Sequence, residues 1–321
     1  MKFNGCIIGA GAIFKCHADA LRAGDNSVLY GVCDIDKEKA DKAAEEYKIK
    51  AFYSFDEVLK DERVDVVHIC TPHYLHYEMI EKAILSGKKV IVEKPPVTDK
   101  EELYKIINNG WGDEICVMFQ NRTNPCVKKL FEIAKTENIK AIRGFLTWHR
   151  DEKYYNSAPW RGTKAFEKGG VLINQAIHTL DIMSVIAGEH ESVKATLSNK
   201  CLENVIETED TVDAIIKYKS GTSGVLYATV SYGENSSYFV EFTSDDAIFR
   251  YCDSKLYKIK GESVEIITDE LTKNGEKAYF GYGHKKAVAQ FYDFLASGKG
   301  DFISLSSAVN TMKLLFAIYN K

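Results

Sequence analysis

The stretch VIVEKPPVTD, residues 90–99, ends an apolar run by delivering an acid and an amine side by side, Glu93 and Lys94, at a point stiffened by Pro95 and Pro96. Other apolar runs end in the same manner. CIIGAGAIF places Gly9 and Gly11 directly after a strand-like segment, SVLYGVCD closes on Asp34, and VDVVHIC runs into Thr71, Pro72, His73 and His76. Glycine at 9 allows a tight turn, and glycine at 11 lets backbone amides approach a pyrophosphate seated on a helix N-terminus. A carboxylate closing the second strand can accept hydrogen bonds from both hydroxyls of an adenosine ribose. An amine or imidazole with a free lone pair can take a proton from a hydroxyl while hydride leaves the carbon that bears it.

Together these signals point to a dinucleotide bound across the carboxyl ends of a parallel sheet, where Glu93 and Lys94 project toward the place a nicotinamide would take if the adenosine lies by Asp34. The third glycine of the usual G-x-G-x-x-G pattern is missing, because Phe14 occupies its position, so the helix-to-strand contact there must be looser or displaced. A 2′-phosphate beside Asp34 would meet a like charge, costing on the order of a few kcal/mol at an effective dielectric near 20. NAD is therefore favoured over NADP, although Lys37 and Lys39 lie close in sequence.

The elements that must hold these residues are legible as short apolar runs separated by amphipathic stretches: residues 3–9, 27–34, 64–71, 88–94 and 114–120, with a shorter run at KAFY. Strands covered on both faces read this way, and the alternation with helices implies a parallel sheet. Ser54 with Glu57, and Thr98 with Glu101, have capping-box spacing. Gly24, Gly87 and Gly110 fall where helices should stop. Beyond residue 121 the rhythm changes to a helix (125–137), a strand (140–148), a helix (170–187) and then period-two runs such as TVDAIIKYK, closed by an amphipathic helix near 304–319. Alternation of that kind argues for antiparallel strands with one face packed.

The expected fold is an α/β Rossmann domain over 1–121, followed by an α+β domain over 122–321 with a large, mostly antiparallel open sheet; the terminal helix is a candidate to pack back on the first domain. A length of 321 residues suits two domains. The 42 basic and 46 acidic side chains give a formal charge of -4, which provides no basic excess for a nucleic acid. The sequence shows no signal peptide and no apolar run long enough to cross a bilayer, so a cytoplasmic protein without a membrane partner is expected. Eight scattered cysteines with no C-x-x-C pair read as reduced thiols.

Taken in order, GAGAIFKCH, CTPHYLH, EKPP, QNRTNP, WRGT and GGVLINQAIHTLD resemble the glucose-fructose oxidoreductase, inositol dehydrogenase and rhizopine-catabolism group, the Gfo/Idh/MocA family of NAD(P)-dependent oxidoreductases. The resemblance covers essentially the whole chain. It implies hydride transfer between nicotinamide and a secondary hydroxyl of a sugar, an inositol-like polyol or a nucleotide-linked sugar, with the second domain's sheet forming a homodimer or homotetramer. It assigns catalysis to Lys94 and His178. Cofactor contacts fall on Gly9, Ala10, Gly11, Ala12, Ile13, Phe14, Asp34, Thr71, Pro72, His73, His76, Glu93, Lys94, Gln120, Trp160 and Arg161, and substrate contacts on Lys94, Arg122, Asn174 and His178.

Where many members carry Asp four residues before the histidine, this chain has Asn174, on the same helical face as His178 by i, i+4 spacing. Arg122 could instead form a salt bridge. His73 and His76 lack a recognisable third ligand, so no metal is expected. A reductase or dehydrogenase of a diol, imine or enone uses the same scaffold, and a non-catalytic dinucleotide sensor would keep the fold without needing a base opposite a lysine.

Overall fold

The computed structural model describes residues 1–269 and 282–320, which fall into two compact units. Unit 1 runs to Gln120 and takes in the later stretch that ends at Ser307; unit 2 begins at Asn121 and includes the chain from Ala308 onward.

In unit 1, strand and helix alternate as β1 (Phe3–Ile8), α1 (Phe14–Ala23), β2 (Ser27–Cys33), α2 (Lys37–Tyr47), β3 (Lys50–Phe52), α3 (Phe55–Lys60), β4 (Val66–Ile69), α4 (His76–Leu85), β5 (Lys89–Val92), α5 (Lys100–Asn108) and β6 (Ile115–Val117). The six strands are parallel in the order β3-β2-β1-β4-β5-β6. Val66, Val67, Ile69, Val90, Ile91 and Val92 are fully buried, as helices on both faces require. The register aligns Ile8 with Cys33 and Ile69, Ile69 with Val92, and Val92 with Val117. All central strands therefore stop at one level, and the residues that follow them share one rim.

Local signals set most boundaries. Ser54 caps α3 through Glu57 N–H, and Glu57 reaches back to Tyr53 N–H. At α5 the cap is one residue later than the spacing of Thr98 and Glu101 predicts: Asp99 accepts from Glu102 N–H, and Glu102 returns to Thr98 N–H. Asp caps as well as Thr, and its choice puts the returning carboxylate on Glu102. Gly87 and Gly110 are left-handed behind α4 and α5, but Gly24 is extended at φ -83° and is needed because a Cβ would strike the Ser27 hydroxyl. The missing third glycine has a structural counterpart. Phe14 turns to Tyr47, edge to face at 5.3 Å, while the close helix approach moves to Gly5 of β1, where a Cβ would sit 2.9 Å from Leu21 of α1 and collide with the Tyr292 hydroxyl.

Unit 2 contains α6 (Pro125–Ala134), β7 (Ala141–Thr147), α7 (Glu152–Tyr155), a π-helical turn at Leu172–Ala176 leading into α8 (Ile177–Ala187), then β8 (His190–Ser198), β9 (Thr211–Tyr218), β10 (Ser223–Thr229), β11 (Phe239–Thr243), β12 (Ile248–Cys252), β13 (Lys255–Lys260) and β14 (Ser263–Asp269). The last two helices are α9 (Tyr282–Ser297), in unit 1, and α10 (Val309–Tyr319), which packs on α8 and β8 in unit 2. The eight-stranded sheet runs β14-β13-β12-β11-β7-β10-β9-β8 and is antiparallel except where β7 meets β10. Along β9, Val212, Ala214, Ile216 and Tyr218 are buried, whereas Asp213, Ile215 and Lys217 are exposed. Each fully buried Val or Ile on that inner face contributes about 1.5–3 kcal/mol. Helix α8 lies on it closely enough that a Cβ at Gly144 of β7 would come within 2.6 Å of Met183 and Thr179.

Candidate functional site

In unit 1 the rim of strand ends carries the cofactor candidates. Gly9 has φ +105°, and a Cβ there would lie 2.8 Å from the Cys70 carbonyl, so only glycine lets β1 turn beside β4. A Cβ at Gly11 would meet nothing within 4 Å, so its backbone faces open space. Helix α1 starts without a side-chain cap and without an acidic residue in its first turn. That leaves amides at its N-terminus for an anion, as a pyrophosphate requires.

Asp34 is held by two backbone donors, Ala10 N–H at 2.8 Å and Asp36 N–H at 2.9 Å, one to each oxygen. A carboxylate offers about four acceptor sites, so each oxygen keeps capacity for a ribose hydroxyl. Nearby, Lys39 is engaged by Asp36 at 3.0 Å, and Lys37 lies over the Tyr53 ring at 5.3 Å. These residues fit a dinucleotide.

The next two strand ends are tied together. His76, fully buried, sits 2.9 Å from the Thr71 carbonyl and 2.7 Å from that of Pro95, joining the turn after β4 to the cis Lys94–Pro95 segment after β5. Burial pushes its pKa down. His73 is buried beside it, with ring centroids 5.9 Å apart. Between Ile91 and Thr98 only Lys94 is not buried. Its neighbour Glu93 points inward, with Oε1 2.9 Å from His17 Nε2 and 3.3 Å from His284 Nε2. The two residues that the sequence sets side by side thus differ, the Glu93 carboxylate turned to the interior and Lys94 half-buried at the strand end.

In unit 2, Tyr154, Arg161, Asn174 and Glu167 form one cluster. Arg161 donates to the Tyr154 hydroxyl at 2.6 Å and stacks on the rings of Tyr154 (4.5 Å) and Trp160 (4.8 Å). The Asn174 amide donates to Glu167 Oε1 and, at 3.4 Å, to the Tyr154 hydroxyl, while Glu167 also accepts Gly162 N–H. The regular helix expected over 170–187 is a π turn at Asn174 and α-helical from Ile177, so the i, i+4 face argument for Asn174 and His178 does not carry over unchanged.

The start of that segment is bonded to distant residues. Glu209, buried, accepts Gly170 N–H (2.9 Å), Leu172 N–H (3.1 Å) and the Tyr319 hydroxyl (2.6 Å), and Tyr319 in turn accepts Ile173 N–H at 3.2 Å. Burial, partly offset by these donors, raises the Glu209 pKa. His178 is buried on α8 one turn further on.

Arg122 is joined to Asp181 through Nε at 2.7 Å and Nη2 at 2.5 Å, and the Thr311 hydroxyl adds a third donor at 2.7 Å. Its fork therefore grips a buried carboxylate of α8, the salt-bridge alternative to the substrate contact carried over for Arg122. Asp181, Glu167, Glu209 and Tyr319 are not singled out by the sequence, whereas Tyr154 lies in YYNSAPW, a run of aromatic faces of the sort that hold sugar rings. For Asp181 the LD that ends GGVLINQAIHTLD is the local signal.

Residues 3–109 match the family model described as an oxidoreductase family with an NAD-binding Rossmann fold, and residues 127–249 match the GFO/IDH/MocA C-terminal domain. The chain is 26% identical over 226 residues to myo-inositol 2-dehydrogenase of Thermotoga maritima, spanning 68% of this chain and 66% of that protein. It is also 26% identical over 367 residues to levoglucosan dehydrogenase of Pseudarthrobacter phenanthrenivorans, spanning 96% and 92%. The crystal structure of the WlbA dehydrogenase from Bordetella pertussis, in complex with NADH and UDP-GlcNAcA, shares the fold with a TM-score of 0.84 at 24% identity, covering 100% of this chain and 96% of that one.

Proposed function

This chain belongs to the GFO/IDH/MocA family of NAD-binding oxidoreductases, and from that premise we propose that it transfers hydride between NAD and the carbon bearing a secondary hydroxyl of a sugar, an inositol-like polyol or a nucleotide-linked sugar. The observation that carries the reading is the place of Lys94 at the strand-end rim, half-buried while Ile91–Glu93 and Pro95–Thr98 are buried. An amine held there by a folded strand end suits proton transfer at a substrate oxygen. Relatives named for myo-inositol and levoglucosan, and the UDP-GlcNAcA in the WlbA complex, support the substrate class.

Bound NAD supplies the hydride acceptor or donor. The chain supplies the rest. Gly9 to Phe14 and Asp34 hold the dinucleotide, with the Asp34 charge favouring a free 2′-hydroxyl over a 2′-phosphate. Thr71, Pro72, His73 and His76 shape the wall between the strand ends, and Trp160 and Arg161 add a stacked cation and ring. Lys94 and His178 hold and move the proton of the reacting hydroxyl, and Asn174, anchored by Glu167, orients it through its amide. Ile215 and Val225 pair across strands on the outer sheet face and are both exposed, which supports a homodimer or homotetramer built on that face. Among the described residues no helix is long and apolar enough to cross a membrane; a cytoplasmic location belongs to this proposal, in keeping with the free cysteines.

The test is NADH formation followed at 340 nm with myo-inositol, levoglucosan and UDP-linked uronic sugars. Lys94→Met and His178→Ala should each lower kcat about 100-fold or more, the span ordinary for a positioned acid or base. A Lys94→Met enzyme turning over like wild type would remove the proposed chemistry.

A further inference from the structure

Beneath the rim of unit 1, Glu93, expected from the resemblance as a cofactor contact, and four titratable side chains with no part in the chemistry above form one connected chain. Glu93 Oε1 faces both His17 of α1 and His284 of α9. The other ring nitrogen of His17 lies 2.9 Å from His68 Nδ1, and His68 Nε2 lies 2.9 Å from the Tyr292 hydroxyl. All five are buried. One tautomer set satisfies every link: Tyr292 donates to His68 Nε2, His68 donates Nδ1–H to His17 Nδ1, and His17 and His284 each donate Nε2–H to Glu93.

The imidazoles of His17 and His68 are then neutral, in keeping with burial, which pushes both pKa values down. Glu93 carries the charge. Burial alone would raise its carboxyl, but the donors from His17 and His284 outweigh it and hold Glu93 well below the usual carboxylate range. Among the described residues, the other titratable groups near Glu93 include Cys16, Cys70, His76 and Lys94.

We propose that His17 and His284 are positioning residues that lock Glu93 in place as a fixed carboxylate, whose second oxygen accepts the Lys94 backbone N–H at 3.3 Å, and so aim the Lys94 side chain at the rim. The inference rests on the reading of Lys94 given above. A carboxylate at a strand end, left to itself, turns to water. Here two imidazoles from separate helices draw it inward, and His68 with Tyr292 fixes the ring plane of His17. A catalytic amine must be held within about 0.5 Å of its working position, and the residue before it on the chain is the natural place to secure it. His17, Glu93 and His284 also bring their ligand atoms within 4.8 Å of one another, so a divalent cation is the competing occupant, although every link above is made without one.

The experiment uses the full chain with NAD and the panel compound that the wild type oxidises fastest. His17→Leu should lower kcat at least 10-fold while the Kd for NADH stays within twofold, and His17→Gln, which offers an amide N–H where Nε2 stood, should recover most of the loss. If His17→Leu does not fold, His284→Leu and His17→Gln carry the same comparison. In the wild type a low-field imidazole N–H proton resonance should appear and vanish in Glu93→Gln. A folded His17→Leu enzyme with wild-type kcat, beside an inactive Lys94→Met, would overturn this inference alone. A loss confined to NADH affinity, or one equivalent of metal that depends on His17 and His284, would also overturn it. Full turnover by Lys94→Met would sink the function reading together with the inference.

Discussion

Asp181→Asn separates two roles for Arg122. Asp181 is 1% exposed and its carboxylate takes three donors, two from the Arg122 fork and one from Thr311. An amide in its place keeps one acceptor oxygen but turns an N–H₂ toward a guanidinium that can only donate. The Arg122 side chain is itself only 10% exposed, so the variant takes the Asp181 charge from a guanidinium held away from water. Removing one partner of a buried pair costs about 3–5 kcal/mol. At roughly 2–4 °C per kcal/mol for a unit of 150–250 residues, the lower end of that range lowers Tm by about 6–12 °C. Scanning calorimetry of wild type and variant, read at the first transition and repeated at high salt, measures it; a buried pair should show little salt dependence. If Arg122 instead serves a substrate anion, Asp181→Asn would leave Tm within about 2 °C and lower the KM for acidic substrates. That pair of results would refute the structural assignment.

Two further outcomes are expected. Asp34→Ala removes the acceptor for Ala10 N–H and for the ribose hydroxyls; at about 2 kcal/mol for bonds to a charged group, the Kd for NADH should weaken roughly 30-fold while that for NADPH holds or improves, and unchanged NADH binding by fluorescence titration would contradict the placement. For stability against pH, His17 and His68 have folded pKa values below the ordinary 6.5, so their contribution is complete above that pH and is lost as pH falls through the folded values; Glu93, depressed from 4.5, adds a further loss in stronger acid. Tm should therefore decline below about pH 6.5, and His68→Gln, compared with wild type between pH 5 and 7, should flatten that decline. An equal slope in both proteins would place the acid sensitivity elsewhere.

The parallel sheet, its six apolar runs and the residues at their ends were legible because each depends on neighbours in the chain. A strand buried on both faces must be apolar throughout, and Gly9 is glycine because the turn after β1 needs φ +105°. The same local logic gave the caps, missing by one residue at α5 because Thr98 and Asp99 are both able to cap. It could not see that the segment bearing Asn174 opens with a π turn, since the residues that take its first amides, Glu209 and Tyr319, lie 39 and 146 positions from the groups they bind.

The pair Glu93–Lys94 draws the line between the two kinds of information. Sequence alone placed both at the end of a buried strand, on the side where a parallel sheet binds its ligands. Only the packed structure decided that the acid turns inward, because a buried charge goes where donors converge, and His17 and His284 come from helices separated from Glu93 by 76 and 191 residues. Strand and helix boundaries are settled mostly among near neighbours, whereas the partner of a desolvated charge, like the π turn before α8, is chosen by whichever elements the fold brings against it.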